Sequence, residues 1–272
     1  LGLGVDGAVA ATALSSLLVA SFFAWKLFRF APVRPKWGKD IARALTSTGF
    51  ALSFVFLMII LVYRANVILI QQFGDLTQLG HYAIGSMFAE LLWQIPVVFS
   101  ALVVAKSAAT KDGAGFSQKV ATLARLILLT SITVSVAVAI IAPYLITFLY
   151  GREFAPSADI VRALLPGAVA ITVLKTLRQD LSGKGRPWVA LWVVFPMLMA
   201  AFAIGPIVIP VHGALGAAYM TSAIYVLGTI SFMRIYCHVT EMPMIELVRY
   251  RKSDFTRAWG AISRKINSTF RR

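Results

Sequence analysis

Long apolar stretches alternate with short polar or charged segments along this chain of 272 residues. A run of about 18 or more nearly uncharged apolar residues is typical of a transmembrane helix. Seven stretches fit this description, and together they predict an all-α, polytopic membrane helix bundle. The predicted spans are Ala8–Trp25, Phe50–Ile70, Tyr82–Val104, Leu126–Leu149, Ile160–Leu177, Trp188–Pro210 and Ala214–Tyr236.

Composition indicates the same class of protein. Hydrophobic residues make up 59% of the chain and charged residues 14%, whereas soluble domains carry about 25% charge. The chain starts at Leu1 and enters an apolar stretch almost at once, without the charged region or cleavage site of a signal peptide. We therefore expect it to be the C-terminal part of a longer protein. Cys237 is the only cysteine, which excludes an internal disulfide framework.

The positive charges lie mostly on one side of the predicted membrane. A net charge of +15 is compatible with nucleic-acid binding, but 23 of the 26 Lys and Arg residues fall on one side of the membrane, between alternate spans or after the last one. The opposite side carries only Arg152 and Arg162, and Arg64 lies inside the second span. This asymmetry predicts a cytoplasmic C-terminus and an external first residue, and it argues against nucleic acid as a partner. An odd number of helices is then expected upstream if the full chain starts inside.

Two segments outside the spans are amphipathic. Trp37, Ile41 and Leu45 share one face just before the second span. A second amphipathic helix, capped by Ser253, is predicted in the tail, with basic residues opposite its apolar face. That apolar face comprises Phe255, Trp259, Ile262, Ile266 and Phe270. We predict interfacial helices, and we expect the tail helix to contact anionic membrane lipids.

Arg64 is the least expected residue of the spans, because arginine in hydrocarbon costs about 2.5 to 3.5 kcal/mol on insertion scales. Glu90 is predicted at nearly the same depth on the neighbouring third span, so the two side chains can meet. Gln71 shares a face with Arg64, one heptad further on. Polar residues on the third span recur every four positions: Tyr82, Ser86, Glu90 and Gln94. Such stripes face a bundle interior or a water-filled cavity.

Two interpretations of these polar residues stay open. They bind a substrate in a cavity, or Arg64 and Glu90 form a buried ion pair that only fastens two helices. Lys175, Arg178 and Asp180 lie at the inner end of the fifth span. Border charges whose side chains reach the membrane interface are the favoured interpretation there. The alternative is that Lys175 and Arg178 line the cytoplasmic mouth of the cavity.

Motifs of catalysis are missing or out of context. GLGVDG at Gly2–Gly7 matches the dinucleotide fingerprint, but a membrane span follows it, with no acidic residue about 20 positions later. His81, His212 and His238 are solitary, so no metal site is expected. The outer loops are too short for a catalytic domain. We therefore expect that the chain is not an enzyme and carries no catalytic residue, metal or cofactor.

The stretch YRANVILIQQFGDLTQLGHYAIGSMFAELLWQIP resembles the seventh and eighth helices of bacterial polysaccharide flippases, which serve O-antigen and exopolysaccharide export. These proteins belong to the multidrug/oligosaccharidyl-lipid/polysaccharide exporter superfamily. The stretches FLYGREFAPSADIVRALLPG, LSGKGRPW and HGALGAAYMTSAIY are similar to later helices of that family, in the same order. The resemblance extends from about Gly49 to Tyr236.

This resemblance implies a parent protein with two lobes around a central cavity. Residues 1–30 would be the last helix of the N-terminal lobe, and residues 31–48 a cytoplasmic linker with an amphipathic elbow. Residues 49–240 would form a C-terminal lobe of six helices, and residues 241–272 a basic amphipathic cytoplasmic tail.

The resemblance also implies a function, which is to move polyprenyl-diphosphate-linked oligosaccharide across the bacterial inner membrane by alternating access. Arg64 matches a position where cationic residues of the family are expected to attract the diphosphate, and Glu90 would hold Arg64 in place. Coupling to H⁺ or Na⁺ and contact with a polysaccharide polymerase and export complex are further expectations. Three alternatives stay open: a cation-coupled drug exporter, a membrane-bound glycan polymerase or ligase, and a non-transporting scaffold of polysaccharide assembly.

Overall fold

The computed structural model describes residues 4–30, 38–110 and 113–248, and it contains helices but no β-strand in these ranges. The helices are α1 (Gly4–Phe30), α2 (Lys39–Phe73), α3 (Leu76–Glu90), α4 (Gln94–Ala109), α5 (Gly113–Tyr150), α6 (Ser157–Gly183), α7 (Leu191–Thr240) and α8 (Ile245–Val248). Short 3₁₀ segments occupy Leu91–Trp93, Arg152–Phe154 and Pro187–Ala190. Six helical segments in the described part are long and apolar enough to cross a membrane. The predicted all-α polytopic bundle is confirmed.

The chain divides into two compact units, Leu1–Gly49 and Phe50–Arg272. In the first unit, α1 contains the first predicted span, and its large apolar side chains are exposed. Near the end of α1, Lys26 Nζ lies 5.5 Å from the ring centre of Phe22. A lysine stem that covers an aromatic ring while its charge reaches outward is typical of a membrane border.

Part of the predicted linker and elbow is helical. α2 begins at Lys39 and runs without a break to Phe73, so residues 39–48 are the first turns of a long helix. The reason is local, because this stretch is rich in Lys, Arg, Ala and Leu, which favour helix. Trp37 and the predicted tail helix of residues 253–270 lie outside the described residues.

The third predicted span is a broken helix. α3 ends at Glu90, Leu91–Trp93 forms one 3₁₀ turn, and α4 continues from there. Pro96 explains the break, because it has no N–H for the carbonyl of Leu92 and its ring crowds that carbonyl. The whole segment Leu76–Ala109 still has the length and hydropathy of a span.

The sixth and seventh predicted spans form one helical element, α7, which turns back at Gly213. A straight helix of its 50 residues would measure about 75 Å, more than twice a hydrocarbon core of about 30 Å. Gly213 has φ 59° and ψ −150°, a conformation that suits glycine. Beyond this turn, Gly216 lies against Val208, and farther along Gly228 lies against Met197. The two halves of α7 are therefore antiparallel, and each is long enough to span.

Gln78 stabilises the turn of α7. Its Oε1 accepts a hydrogen bond of 3.1 Å from the backbone N–H of Ala214, the first residue of the second half. Asp75 caps α3 and accepts hydrogen bonds from Gln78 N at 2.7 Å and from Gln78 Nε2 at 3.0 Å. Gln78 thus joins the start of α3 to the turn of α7, and a Cβ at position 213 would collide with its side chain.

α6 is the central helix of the second unit. Its span is 72% buried, against 39% or less for the other spans, because α3, α4, α5 and α7 all pack around it. Small residues allow the close approach to α7. Gly167 N donates to Ser222 Oγ at 2.7 Å, and a Cβ on Gly167 would lie 2.6 Å from Ser222 Cα.

Candidate functional site

Polar residues of α2 and of the broken third span line a cavity of about 340 Å³, called here the Arg64 cavity. Its lining residues are Arg64, Ala83, Ser86, Met87, Glu90, Leu91 and Gln94. Four of the six residues that the sequence predicts for the cavity are among them: Arg64, Ser86, Glu90 and Gln94. The 3₁₀ turn begins directly after Glu90, so the cavity lies at the break of the helix.

Arg64 and Glu90 face this cavity together but do not form an ion pair. Arg64 is exposed, Glu90 is partly buried, and the two interact electrostatically. Within the described residues, however, no ion pair of 4.0 Å or less joins them. The guanidinium of Arg64 therefore has donors that a ligand can use.

Tyr82 and Gln71 are the other two residues predicted for the cavity, and neither lines the Arg64 cavity. Tyr82 is buried and lines a smaller cavity of about 20 Å³, which Ser86 and Glu90 also border. That volume is enough for about one water molecule. Gln71 lies exposed in the last turn of α2 and lines neither cavity. Five of the six predicted residues thus come together, and Gln71 does not.

A buried polar contact behind the cavity was missed by the sequence reasoning. Asn66 is 2% exposed, and its Nδ2 donates to Thr221 Oγ1, which in turn donates to the carbonyl of Ala217 at 2.6 Å. This contact fastens α2 to the second half of α7. The sequence does show Asn66 as a polar residue in an apolar span, but it does not indicate its partner Thr221, which lies 155 positions away.

Three aromatic rings pack together behind Glu90. The ring centres of Tyr63 and Trp93 are 4.6 Å apart. The ring centre of Tyr225 lies 6.2 Å from that of Tyr63 and 6.4 Å from that of Trp93. Lys175 Nζ, from α6, lies 3.7 Å from the centre of the Trp93 ring and 4.7 Å from that of Tyr63. Such cation–π contacts contribute about 2 kcal/mol when desolvated. Lys175 also interacts electrostatically with Glu90.

Arg178 follows Lys175 by three residues on α6 and is buried, with 9% of its surface exposed. Its guanidinium carbon lies 5.8 Å from the ring centre of Phe56 on α2. Its Nε has no hydrogen-bond partner among the described residues. α2 packs over this face of α6, with Ile59, Val62 and Tyr63 beside Arg178. The sequence interpretation of Arg178 as a border charge that reaches the interface stays a prediction.

Asp180 is fully buried at the same end of α6. Its carboxylate accepts hydrogen bonds from Ser107 Oγ (2.6 Å), Ser117 Oγ (2.9 Å), Tyr236 OH (2.7 Å) and Lys184 Nζ (2.9 Å). The three hydroxyls belong to α4, α5 and α7, and Lys184 directly follows α6, so one carboxylate of α6 connects four helices. Asp180 is a structural centre, which the sequence reasoning had placed at the membrane border.

The model of the family described as polysaccharide biosynthesis protein matches residues 2–159, which is more than half of the 272 residues. The chain belongs to the polysaccharide biosynthesis protein family. The match includes the whole Arg64 cavity and ends at the start of α6, before Lys175 and Arg178. No curated protein and no solved structure matches the chain significantly.

Positive charge exceeds negative charge at the centre of this polysaccharide biosynthesis protein. Arg64, Lys175 and Arg178 lie on α2 and α6, and the carboxylate that acts on the first two is Glu90. None of the four makes an ion pair within the described part of the chain. Buried charge without a counter-charge is unfavourable. The arrangement is therefore suited to an anionic ligand.

Proposed function

We propose that this member of the polysaccharide biosynthesis protein family is a flippase. It moves polyprenyl-diphosphate-linked oligosaccharide units across the bacterial inner membrane for polysaccharide export, with its C-terminus in the cytoplasm. The observation that carries the proposal is a polar cavity inside a membrane span, which Arg64 and Glu90 share without pairing. A headgroup with a diphosphate and sugar hydroxyls needs both a fixed positive charge and neutral hydrogen-bonding groups.

Arg64 is the residue that we assign to the diphosphate. Its guanidinium stays ionised and can donate two parallel hydrogen bonds to a phosphate. Ser86 and Gln94, in the same cavity, offer a hydroxyl and an amide to sugar hydroxyls. Glu90 attracts Arg64 and thus competes with the substrate, which weakens binding enough for the substrate to leave.

The size of the Arg64 cavity suits part of the headgroup. Small-molecule sites span about 300 to 1,000 Å³, and 340 Å³ lies at the lower end. The diphosphate and the sugar next to it would occupy this space, while the rest of the oligosaccharide extends outward. Rocking of two lobes would expose the site to each side in turn. H⁺ or Na⁺ coupling and a polymerase and export complex as partner belong to the same proposal.

The test compares Arg64→Ala, Glu90→Ala, the double variant and Arg64→Lys in the full-length protein. Membrane protein level and surface polysaccharide are measured separately, so that folding and transport are distinguished. Because Arg64 is exposed and unpaired, its removal should cost about 1 kcal/mol or less in stability. Export should fall to background in Arg64→Ala and in the double variant. Arg64→Lys should retain part of it, because the charge stays but the two-bond contact is lost.

Arg162→Ala is the matched control. Arg162 is an exposed arginine near the start of α6, paired with Asp159 at 3.0 Å, and it does not line the Arg64 cavity. Its loss should leave export unchanged. Wild-type export from a well-expressed Arg64→Ala, Glu90→Ala double variant would contradict the proposal and would favour a scaffold role for the protein.

A further inference from the structure

Arg178 is a buried arginine with no counter-ion in the part of the chain that the structure describes. Only 9% of its surface is exposed, and it forms no ion pair within the described residues. Its Nε has no hydrogen-bond partner there. Removing one partner of a buried ion pair is strongly destabilising, because the remaining charge is uncompensated. A permanently charged side chain kept in this condition points to an anion that binds from outside the chain.

The nearest carboxylate in sequence cannot serve Arg178. Asp180 stands two residues later on α6, which turns its side chain by about 200° around the helix axis. Its oxygens already accept four side-chain hydrogen bonds, one of them from Lys184. The two charges therefore belong to opposite faces of α6.

Lys175 supplies a second cation on the same side of α6 as Arg178. The two residues are three positions apart, which makes them neighbours on one helix face, and they act on each other electrostatically. Lys175 Nζ rests on the rings of Trp93 and Tyr63. Tyr63 also lines the small cavity beside Arg178. The aromatic pair thus separates these cations from the Arg64 cavity.

We propose that Lys175 and Arg178 form a second anion site, which takes a phosphate group on the cytoplasmic side of the Arg64 cavity. The cavity beside Arg178 measures about 10 Å³, too little for a phosphate. Binding therefore requires Lys175 to leave the aromatic rings and turn toward the anion. Arg178 lies about 8 Å from the end of α6 at 1.5 Å per residue, on the side where the basic segments predict the cytoplasm. The site's place in transport, as the first contact of the diphosphate, rests on the proposed function, but its binding of phosphate does not.

The experiment uses the purified full-length protein in detergent, with sodium pyrophosphate as the probe. Thermal unfolding and tryptophan fluorescence are recorded, since departure of Lys175 from Trp93 alters the surroundings of that indole. Pyrophosphate should raise the melting temperature and change the fluorescence in a saturable way. Arg178→Met and Lys175→Met should each weaken this response at least tenfold. Trp93→Phe should keep the thermal shift and lose the fluorescence change.

Two controls separate this site from other cations. Arg162→Met removes an exposed arginine of the same helix and should leave the response intact. Arg64→Gln should lose export but keep the fluorescence response, so that failure of the second site and failure of the flippase proposal give different results. A response that disappears in Arg64→Gln but persists in Arg178→Met would overturn the second site.

Stability without any anion gives an independent test. Arg178→Met replaces an uncompensated buried charge by an apolar side chain, so its melting temperature should equal or exceed that of the wild type. A clear fall in melting temperature would overturn the inference, because it would mean that Arg178 already has a partner in the protein.

A further arm identifies the source of the phosphate. Phosphatidylglycerol in the micelles replaces pyrophosphate in the same measurements. An Arg178-dependent response to pyrophosphate assigns the site to a soluble or substrate diphosphate, and a response to the lipid alone assigns it to a lipid headgroup. Either result supports a phosphate site, and the lack of any response to both probes would refute it.

Discussion

Replacing Asp180 by Asn tests whether a single carboxylate holds one end of four helices together. The substitution keeps the size and shape of the side chain but removes its negative charge. Oδ1 of Asp180 accepts from Ser107, and Oδ2 accepts from Ser117, Tyr236 and Lys184. An amide N–H₂ in place of either oxygen would therefore face at least one donor where an acceptor had been. The remaining positive charge would be Lys184, whose side chain is 19% exposed.

The expected loss follows from this geometry. Breaking a buried ion pair by removing one partner costs about 3 to 5 kcal/mol. An exposed pair contributes about 0 to 1 kcal/mol. The same helix offers such a pair in Asp159 and Arg162, which are 65% and 51% exposed and 3.0 Å apart. Asp159→Asn is therefore the matched control for Asp180→Asn.

Reversible unfolding of the purified protein in mixed micelles, followed by helical circular dichroism, measures both variants. Asp180→Asn should lower the free energy of unfolding by about 3 to 5 kcal/mol, and Asp159→Asn by about 1 kcal/mol or less. If the two variants lay within about 1 kcal/mol of each other, the carboxylate would not be the centre of this contact, and the argument from its four hydrogen bonds would fail.

Two further predictions follow from the topology and from the turn of α7. Reporters inserted near Gly113 and Gly185 should be cytoplasmic and one near Arg152 external, because of the one-sided charge distribution. Protease protection or thiol labelling measures the side of each reporter, and an external Gly113 would overturn the orientation. Gly213→Ala should cost about 1 to 3 kcal/mol of backbone strain plus the contact with Gln78. Gly185→Ala shares the positive φ but has open space around it, so it should cost less in the same unfolding assay, and equal losses would show that the contact with Gln78 is unimportant.

Spans were predictable because a membrane helix carries its signal within its own residues. Apolar runs of sufficient length identify the spans without any knowledge of neighbours, and Gly213 between two prolonged runs marks the turn of α7. The elbow before α2 was harder to predict. A short amphipathic pattern fits both an interfacial helix and the first turns of a long one, and only the continuous helix from Lys39 decides between them.

The candidate site was predictable only where its residues share one helix or two adjacent ones. Ser86, Glu90 and Gln94 recur at a helical interval, and Arg64 lies on the preceding span at similar depth. The position of Lys175 on the ring of Trp93 depends instead on the packing of α6 against two other helices. No periodicity within one segment reports that contact. Three of the donors to Asp180 are hydroxyls that are ordinary in their own helices, α4, α5 and α7, so their common acceptor appears only in the fold.

The contrast between Arg178 and Asp180 separates residues that hold the fold from residues that are available to a ligand. They are two positions apart on α6, both buried, and of opposite charge. The carboxylate faces the hydroxyls of Ser107, Ser117 and Tyr236 and is fully bonded. The guanidinium lies near the ring of Phe56, and its Nε has no hydrogen-bond partner among the described residues. If α6 were rotated by half a turn, each charge would lie in the surroundings of the other. The difference between the two residues therefore depends on how α6 packs and not on the local sequence. This packing leaves the positive charge of Arg178 without a counter-charge among the described residues. On the proposed function, an anionic headgroup would gain binding free energy by pairing with it.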